Sequence, residues 1–292
     1  MADAERPEVN SLFRQALSEA WGLADKLTAY PSLNLSELAV LRSENKAQSM
    51  SSAKEDCFIY PEVSANVQGF VRSRVSSPGI YLFSDTGAST VDQAVFIFSK
   101  KDQGEHLTYL YGNVLLLGSS HIEFRAAGKC GKRDCHSLES WRARKENGGS
   151  ESELREAREW VAAGLSQGTE ATIAFAKQKL YVRDQLNEIR LIFGGGGHCD
   201  HPYKSAVLRP FSGSLFRHSI TPDVVGLPVP RDLELRDSEV RWMRRLSVAY
   251  GLSFEKSELV NFTYPKDVSI PKPEEIWSQR KYIRDAPTKD EC

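Results

Sequence analysis

The segment Asp85-Thr86-Gly87-Ala88-Ser89-Thr90-Val91-Asp92 lies between two apolar runs, 79–83 and 93–99. Small residues in such a turn let backbone N–H groups approach an anion closely, and Thr90 adds a hydroxyl. Asp85 and Asp92 would repel a phosphate on their own, so they make sense only with a cation. A hard ion such as Mg2+ takes one or two carboxylates, usually through water, plus phosphate oxygens. A plain hairpin with a polar turn is the competing reading. The second segment, Ile189 to Phe193, is an apolar run that enters Gly194-Gly195-Gly196-Gly197 directly. Glycines weaken a strand end unless something must pass close to the backbone. A helix starting beyond them presents free N–H groups to an anion or a polar ring. Here the competing reading is a flexible connection.

Cys130, Cys135 and His136 form a third cluster. Two thiolates at this spacing suit zinc, with His136 as a third ligand. His198, Cys199, Asp200 and His201 are candidates for the remainder, but they fall in the glycine turn, and no second close cysteine pair exists. Free thiols in a basic loop are the better reading. Lys129, Lys132 and Arg133 lower thiol pKa values there and make the loop redox-reactive. His106, His121 and His218 are scattered, and no Ser-His-Asp or His-Glu-x-x-His pattern occurs. Arg142, Arg144 and Lys145 read as a solvated face.

These residues need a scaffold. Leu12, Phe13, Ala16, Leu17, Ala20, Trp21, Ala24 and Leu27 recur at helical spacing. That predicts a helix over 11–29 with Phe13 and Trp21 in the core. Asn10 or Ser11 caps it, and Tyr30-Pro31 stops it. Residues 43–56 read as a Ser-rich loop. Three strands follow, at 79–83, 93–99 and within 107–117, the first two joined as a hairpin. Residues 128–150 read as a basic loop. A helix is expected from Glu151 to about Leu180, bent or broken at Gly164 and Gly168. A fourth strand, 189–193, and a short helix, 202–208, come next. Asp237 caps a last helix in which Val240, Met243, Leu246 and Tyr250 share a face, with Gly251 as the stop. Trp242 and Met243 read as core, and Arg241, Arg244 and Arg245 offer a partner surface. The final stretch, with Pro265, Pro271, Pro273 and Pro287, reads as an extended tail on the body.

The chain has 292 residues, 40% apolar and 26% charged. That is an ordinary globular mix, and it excludes collagen-like, coiled-coil and wholly disordered chains. At roughly 150 residues per domain it holds about two domains, or one large one. Lys plus Arg is 38 against 39 Asp plus Glu, a net charge of −1. No global field draws in nucleic acid or an anionic membrane, so neither is an expected partner. No apolar run approaches the ~18–20 residues of a membrane span. The polar, acidic start is not that of a signal peptide. Five cysteines, few and odd in number, argue for a reducing compartment. The expectation is a cytoplasmic protein.

Taken together, the two glycine-bearing segments resemble the phosphate and adenosine motifs of the actin, sugar-kinase and DnaK-type heat-shock ATPase superfamily. Its phosphate motif is Asp-x-Gly-x-x-Thr-x-Asp between strands, and Asp85, Gly87, Thr90 and Asp92 match all four fixed positions. Its adenosine motif is a strand, Gly-Gly, four residues and Pro, and Gly196, Gly197 and Pro202 match that spacing. Leu117-Gly118-Ser119-Ser120 is similar to the family's Leu-Gly-Gly turn, with one glycine replaced. The segment Pro61-Glu62-Val63-Ser64-Ala65-Asn66 is similar to its Glu-Pro-x-Ala-Ala-Ala stretch, where Glu62 and a small residue or two fit. Ala88 and Ser89 stand where the chaperones have glycines. The four pieces agree in order over roughly residues 57–212.

The resemblance implies an α/β fold, a ribonuclease-H-like mixed sheet with flanking helices, as in the second lobe of these two-lobed ATPases. It divides the chain into an N-terminal helical segment (1–56), a second-lobe domain (57–212) and a C-terminal helix with an extended tail (213–292). It implies ATP or ADP with Mg2+. Asp85 and Asp92 would hold the metal through water and serve catalysis. Thr86, Gly87, Ala88, Ser89, Thr90 and Gly118 would line the phosphates, and Gly195, Gly196 and Gly197 the adenosine. About 56 residues precede the match, whereas a lobe needs on the order of 100. ATP hydrolysis is therefore expected only with a first lobe supplied elsewhere, so a separate first-lobe chain or a client protein is the implied partner. The alternative is a non-enzymatic interaction module on a degenerate ribonuclease-H-like sheet, with zinc as a possible stabiliser.

Overall fold

The computed structural model describes residues 7–29, 34–45, 58–101, 104–129, 137–197, 201–213, 215–234 and 242–271. Strands β1 (Gly79–Thr86), β2 (Val91–Lys101), β3 (Gly104–Leu115), β4 (Arg190–Gly194), β5 (Asp223–Val225) and β6 (Asn261–Thr263) form one sheet, in the order β5-β4-β1-β2-β3-β6. β2 is antiparallel to β1 and β3. The pairs β1–β4, β4–β5 and β3–β6 are parallel. This is the ribonuclease-H-like mixed sheet that the resemblance implies, with β5 and β6, both from the part assigned to the C-terminal helix and tail (213–292), at its two edges.

The two-residue period of the strands sorts their side chains onto two faces. Tyr81, Phe83, Ala94, Phe96 and Phe98 pack on one face with Val67 and Phe70. These last two come from the short segment holding helices α3 (Glu62–Asn66) and α4 (Gln68–Val71), which follow α1 (Pro7–Ala29) and α2 (Leu35–Asn45). Ile80, Leu82, Val91 and Val95 pack on the other face. That face is covered by α5 (Ser120–Lys129), α6 (Leu138–Glu146), α7 (Ser152–Lys177) and α8 (Tyr203–Leu208). The last helix, α9 (Met243–Leu252), packs on α3 and α4.

Several expectations change. α7 is one unbroken helix. Leu154, Ala157, Val161, Leu165, Ile173 and Ala176 are buried along it at helical spacing. Burying a large aliphatic side chain is worth ~1.5–3 kcal/mol, and a glycine in a helix costs only ~1. Gly164 and Gly168 serve close approach instead. A Cβ at Gly168 would lie 2.5 Å from the Leu115 side chain, and one at Gly164 3.1 Å from Leu117. The basic loop is partly helical: α5 runs to Lys129, and Ser137 caps α6 by accepting from the Ser140 amide. In α1 the expected core stripe is exposed, Phe13 at 61% and Trp21 at 52%, while Glu19 and Leu23 are buried. Glu19 instead ties α1 to α2 through Arg42, at 2.6 Å. In α9 the buried stripe is Met243, Ser247 and Gly251. Trp242 and Leu246 are exposed. Gly251 does not stop the helix; a Cβ there would strike the Ala65 carbonyl at 1.9 Å. Cys130, Cys135 and His136, the zinc candidates, lie outside the described residues, as do 198–200, Asp237, Val240 and the chain beyond 271. Among the described residues no helix is long and apolar enough to cross a membrane.

Candidate functional site

The face that carries Tyr81 and Phe83 turns acidic at the carboxyl end of β1. The next residue on that stripe is Asp85, and it pairs directly across the hairpin with Asp92. Side chains opposite one another on antiparallel strands point the same way. Glu62, in the first turn of α3, adds a third carboxylate to the same cavity of ≈420 Å3, which Thr90, Phe13 and Tyr264 also line. Burial pushes the Asp85 carboxyl up to about 6; the Asn66 hydrogen bond opposes this, and the charges of Glu62 and Asp92 add to it. Glu62 is also raised, chiefly by burial and then by Asp92. Among the described residues no group of three or more His, Cys, Asp or Glu side chains is arranged to enclose a metal. Two carboxylates acting through water still fit Mg2+, which keeps much of its hydration shell.

Asn66 carries no signal in the sequence that marks it as a site residue. Its side-chain amide donates to Asp85 Oδ2, and its carbonyl accepts from the Ser247 hydroxyl of α9. The serine sets which way the amide points, so the donor end faces Asp85.

The hairpin turn is held from behind. Its carbonyls at Gly87, Ala88 and Ser89 accept from the amides of Ser119 (3.0 Å), Ser120 (2.8 Å) and Gly118 (3.1 Å). Gly118 is required for this approach, since a Cβ there would lie 2.4 Å from the Ala88 carbonyl oxygen. Gly87 donates to the Thr90 carbonyl. Among the described residues no backbone carbonyl accepts from the amides of Ala88 and Ser89, and both residues are exposed. Thr90 donates its hydroxyl to Asp92 Oδ2 at 2.8 Å, so that proton is not directed at a ligand. Thr86 points to the opposite face, buried, with its hydroxyl unpartnered among the described residues. The strut behind the turn rests on a buried ion pair. Lys145 donates to the Ser119 carbonyl at 3.0 Å and sits 3.0 Å from Glu123, which Arg142 also meets at 2.9 Å. The run 142–145 is therefore not merely a solvated face: Lys145 is buried.

The glycine turn adjoins the acids. Gly194 pairs with Asp85 across the parallel strands. Gly195 has φ +72°, and a Cβ there would fall 2.3 Å from Asp85 Oδ1. Its amide donates to the Arg244 carbonyl at 3.3 Å. A Cβ at Gly197 would meet the Thr86 methyl at 2.6 Å, and one at Gly196 the Arg245 guanidinium at 2.7 Å. That guanidinium also lies over the Trp242 ring, 4.8 Å from its centre. What passes close to these glycines is thus the end of β1 and Arg245. Beyond the turn, the start of α7 and α8 enclose a second cavity of ≈410 Å3, with Arg155, Arg158, Glu159, His201 and Arg209 in its wall.

No family model matches the chain, and no curated protein matches it. Solved structures do resemble it. A chain of the PilM-PilN type IV pilus biogenesis complex shares 15% identity, with 74% of this chain and 57% of that one covered and a TM-score of 0.47. MreB 5 of Spiroplasma citri bound to AMPPNP shares 14%, over 77% and 66%, at 0.48. Ta0583, an archaeal actin homolog, in complex with ADP shares 12%, over 70% and 65%, at 0.43. The chain spans less than two thirds of each of the three. All three TM-scores lie under 0.5, and the ribonuclease-H-like reading stands on the strand order and directions described above.

Proposed function

We propose that the chain binds an adenine nucleotide with Mg2+ at the carboxyl ends of β1 and β4, as one half of a two-lobed ATPase. The observation that carries this reading is the Asp85–Asp92 pair. Two carboxylates face one another across the hairpin, one of them buried enough to raise its pKa, beside an exposed turn whose Ala88 and Ser89 amides meet no backbone acceptor among the described residues. A bound cation and an anion would satisfy both. Ligands of open α/β sheets sit outside the carboxyl ends of parallel strands, which is where this pair and the glycine turn meet.

The magnesium supplies charge neutralisation of phosphate oxygens when bound. Asp85 and Asp92 orient its waters, and Asn66 fixes Asp85. The amides of Ala88 and Ser89 hold phosphate oxygens. Gly196 and Gly197 admit the nucleoside, with base and ribose in the cavity between α7 and α8. Arg155 and Arg158 there suit stacking on a purine, and Glu159 suits a ribose hydroxyl. Hydrolysis proceeds by placing a water and stabilising charge, and it requires a first lobe from another chain or another part of the protein. Five cysteines, few and odd in number, suit a cytoplasmic setting.

A second reading is favoured by one observation: the glycine faces are taken by Asp85, Thr86 and Arg245. On that reading the sheet is a non-enzymatic interaction module that has closed its own site. Calorimetric titration of ATP and ADP with Mg2+, repeated with EDTA and with Asp85→Asn, separates the two. Metal-dependent binding that Asp85→Asn weakens is the expected result. Absence of binding at millimolar nucleotide supports the module.

A further inference from the structure

A further cavity, ≈590 Å3, adjoins the proposed nucleoside pocket at α8, with His201, Pro202 and Ser205 in the walls of both. Phe193 of β4, Leu208 of α8, and Val224 and Val225 of β5 give it apolar walls. Lys204 of α8 and Arg244 at the start of α9 bring cations to it, and none of the described residues lining it is acidic. Lys204 has no carboxylate within ion-pair distance among the described residues. Ligand cavities of this size are mostly apolar with a few convergent polar groups. A lysine and an arginine facing a shared apolar space select an anionic head on an apolar body, because carboxylate oxygens accept from both. We infer that this cavity binds an amphipathic monocarboxylate, an acyl or aryl carboxylate of medium length, with its carboxylate at Lys204 and Arg244 and its tail against Phe193, Leu208 and Val225. The cavity shares only the His201–Ser205 segment with the nucleoside pocket and does not include Asp85 or the hairpin turn.

Octanoate is the probe, titrated calorimetrically into the full chain. Saturable binding is expected, weakened about tenfold or more by Lys204→Ala. Octanol, with the same chain and no charge, should bind at least about tenfold more weakly. Gly226 lines the cavity, and a Cβ there meets nothing within 4 Å, so Gly226→Trp adds bulk at the cavity wall with no clash at its Cβ. It should abolish octanoate binding, with the circular dichroism spectrum reporting the fold. Lys204→Ala should leave Mg2+-dependent ATP binding unchanged, which keeps this site distinct from the nucleotide site. Lack of saturable octanoate binding, equal affinity for octanol, or full affinity in the folded Gly226→Trp variant would each overturn the assignment.

Discussion

Asp85→Asn should make the ligand-free protein more stable at neutral pH. The carboxyl's pKa is about 6 in the folded chain against 3.8 for the ordinary group, with burial as the largest cause. Each unit is worth ~1.4 kcal/mol, so the ionised form carries a native-state penalty of about 3 kcal/mol. The folded state holds this proton more tightly than the unfolded chain does. The penalty is therefore absent below about pH 3.8, grows as pH rises towards 6, and is complete above it. Asparagine preserves the shape and can still accept from the Asn66 amide, but it carries no charge. In thermal or urea unfolding at pH 7.5, the variant should gain up to about 3 kcal/mol, on the order of 6–12 °C for a chain of this size. At pH 5 the gain should shrink, and the same variant should lose metal-dependent nucleotide binding. A variant less stable than the parent at pH 7.5, or a gain that does not change with pH, would refute the claim that Asp85 is a strained, buried anion kept for a ligand.

Three further changes test the parts that hold the site. Gly118→Ala places a Cβ 2.4 Å from the Ala88 carbonyl oxygen, so the hairpin turn must shift. It should cost ~1–3 kcal/mol in urea unfolding and weaken nucleotide affinity in calorimetry. Lys145→Met strands the buried Glu123 carboxylate, since Arg142 reaches it from a half-exposed position. A loss of ~3–5 kcal/mol is expected, much of it recovered by adding Glu123→Leu. Gly251→Ala drives a methyl into the Ala65 carbonyl and pushes α9 from α3. Faster amide exchange at Ser247 and Asn66, without loss of the sheet's protection, is the expected signature.

The sheet was legible because its signals are local. Apolar runs and turn residues located β1, β2 and β4, and the motif order gave their arrangement. Asp85, Asp92 and the glycine turn could be listed, since residue type and spacing carry them. Their surroundings could not be. Asn66 looks like one more small polar residue in a short helix, and only the fold brings it between Asp85 and Ser247, 181 residues away from the latter. Arg245 gives no sign in sequence that it covers Gly196. At the glycines of α7, packing against Leu115 and Leu117 overrides intrinsic helix propensity. The stripe on α1 misled for a different reason. Periodicity reports that a face is apolar, not that something covers it.

α9 joins the two halves of the candidate site. Its Arg244 carbonyl accepts from Gly195, which abuts Asp85; Asp85 accepts from Asn66; Asn66 accepts from Ser247, one turn along the same helix. The ring closes through polar contacts and a glycine rather than through large apolar side chains. Removing the Ser247 hydroxyl would leave the Asn66 carbonyl buried without that donor, a cost of ~1–3 kcal/mol borne at the Asp85 end. On the nucleotide-binding reading, a ligand entering at Gly196 must lift Arg245 from the glycine face. Arg245 is the residue next to Arg244, so the prediction is that this displacement reaches Ser247, Asn66 and Asp85 through the same helix, read as changed amide exchange at Asn66 and Ser247 when nucleotide is added. On the interaction-module reading the ring stays shut, and Arg245 keeps Gly196 covered whatever is added.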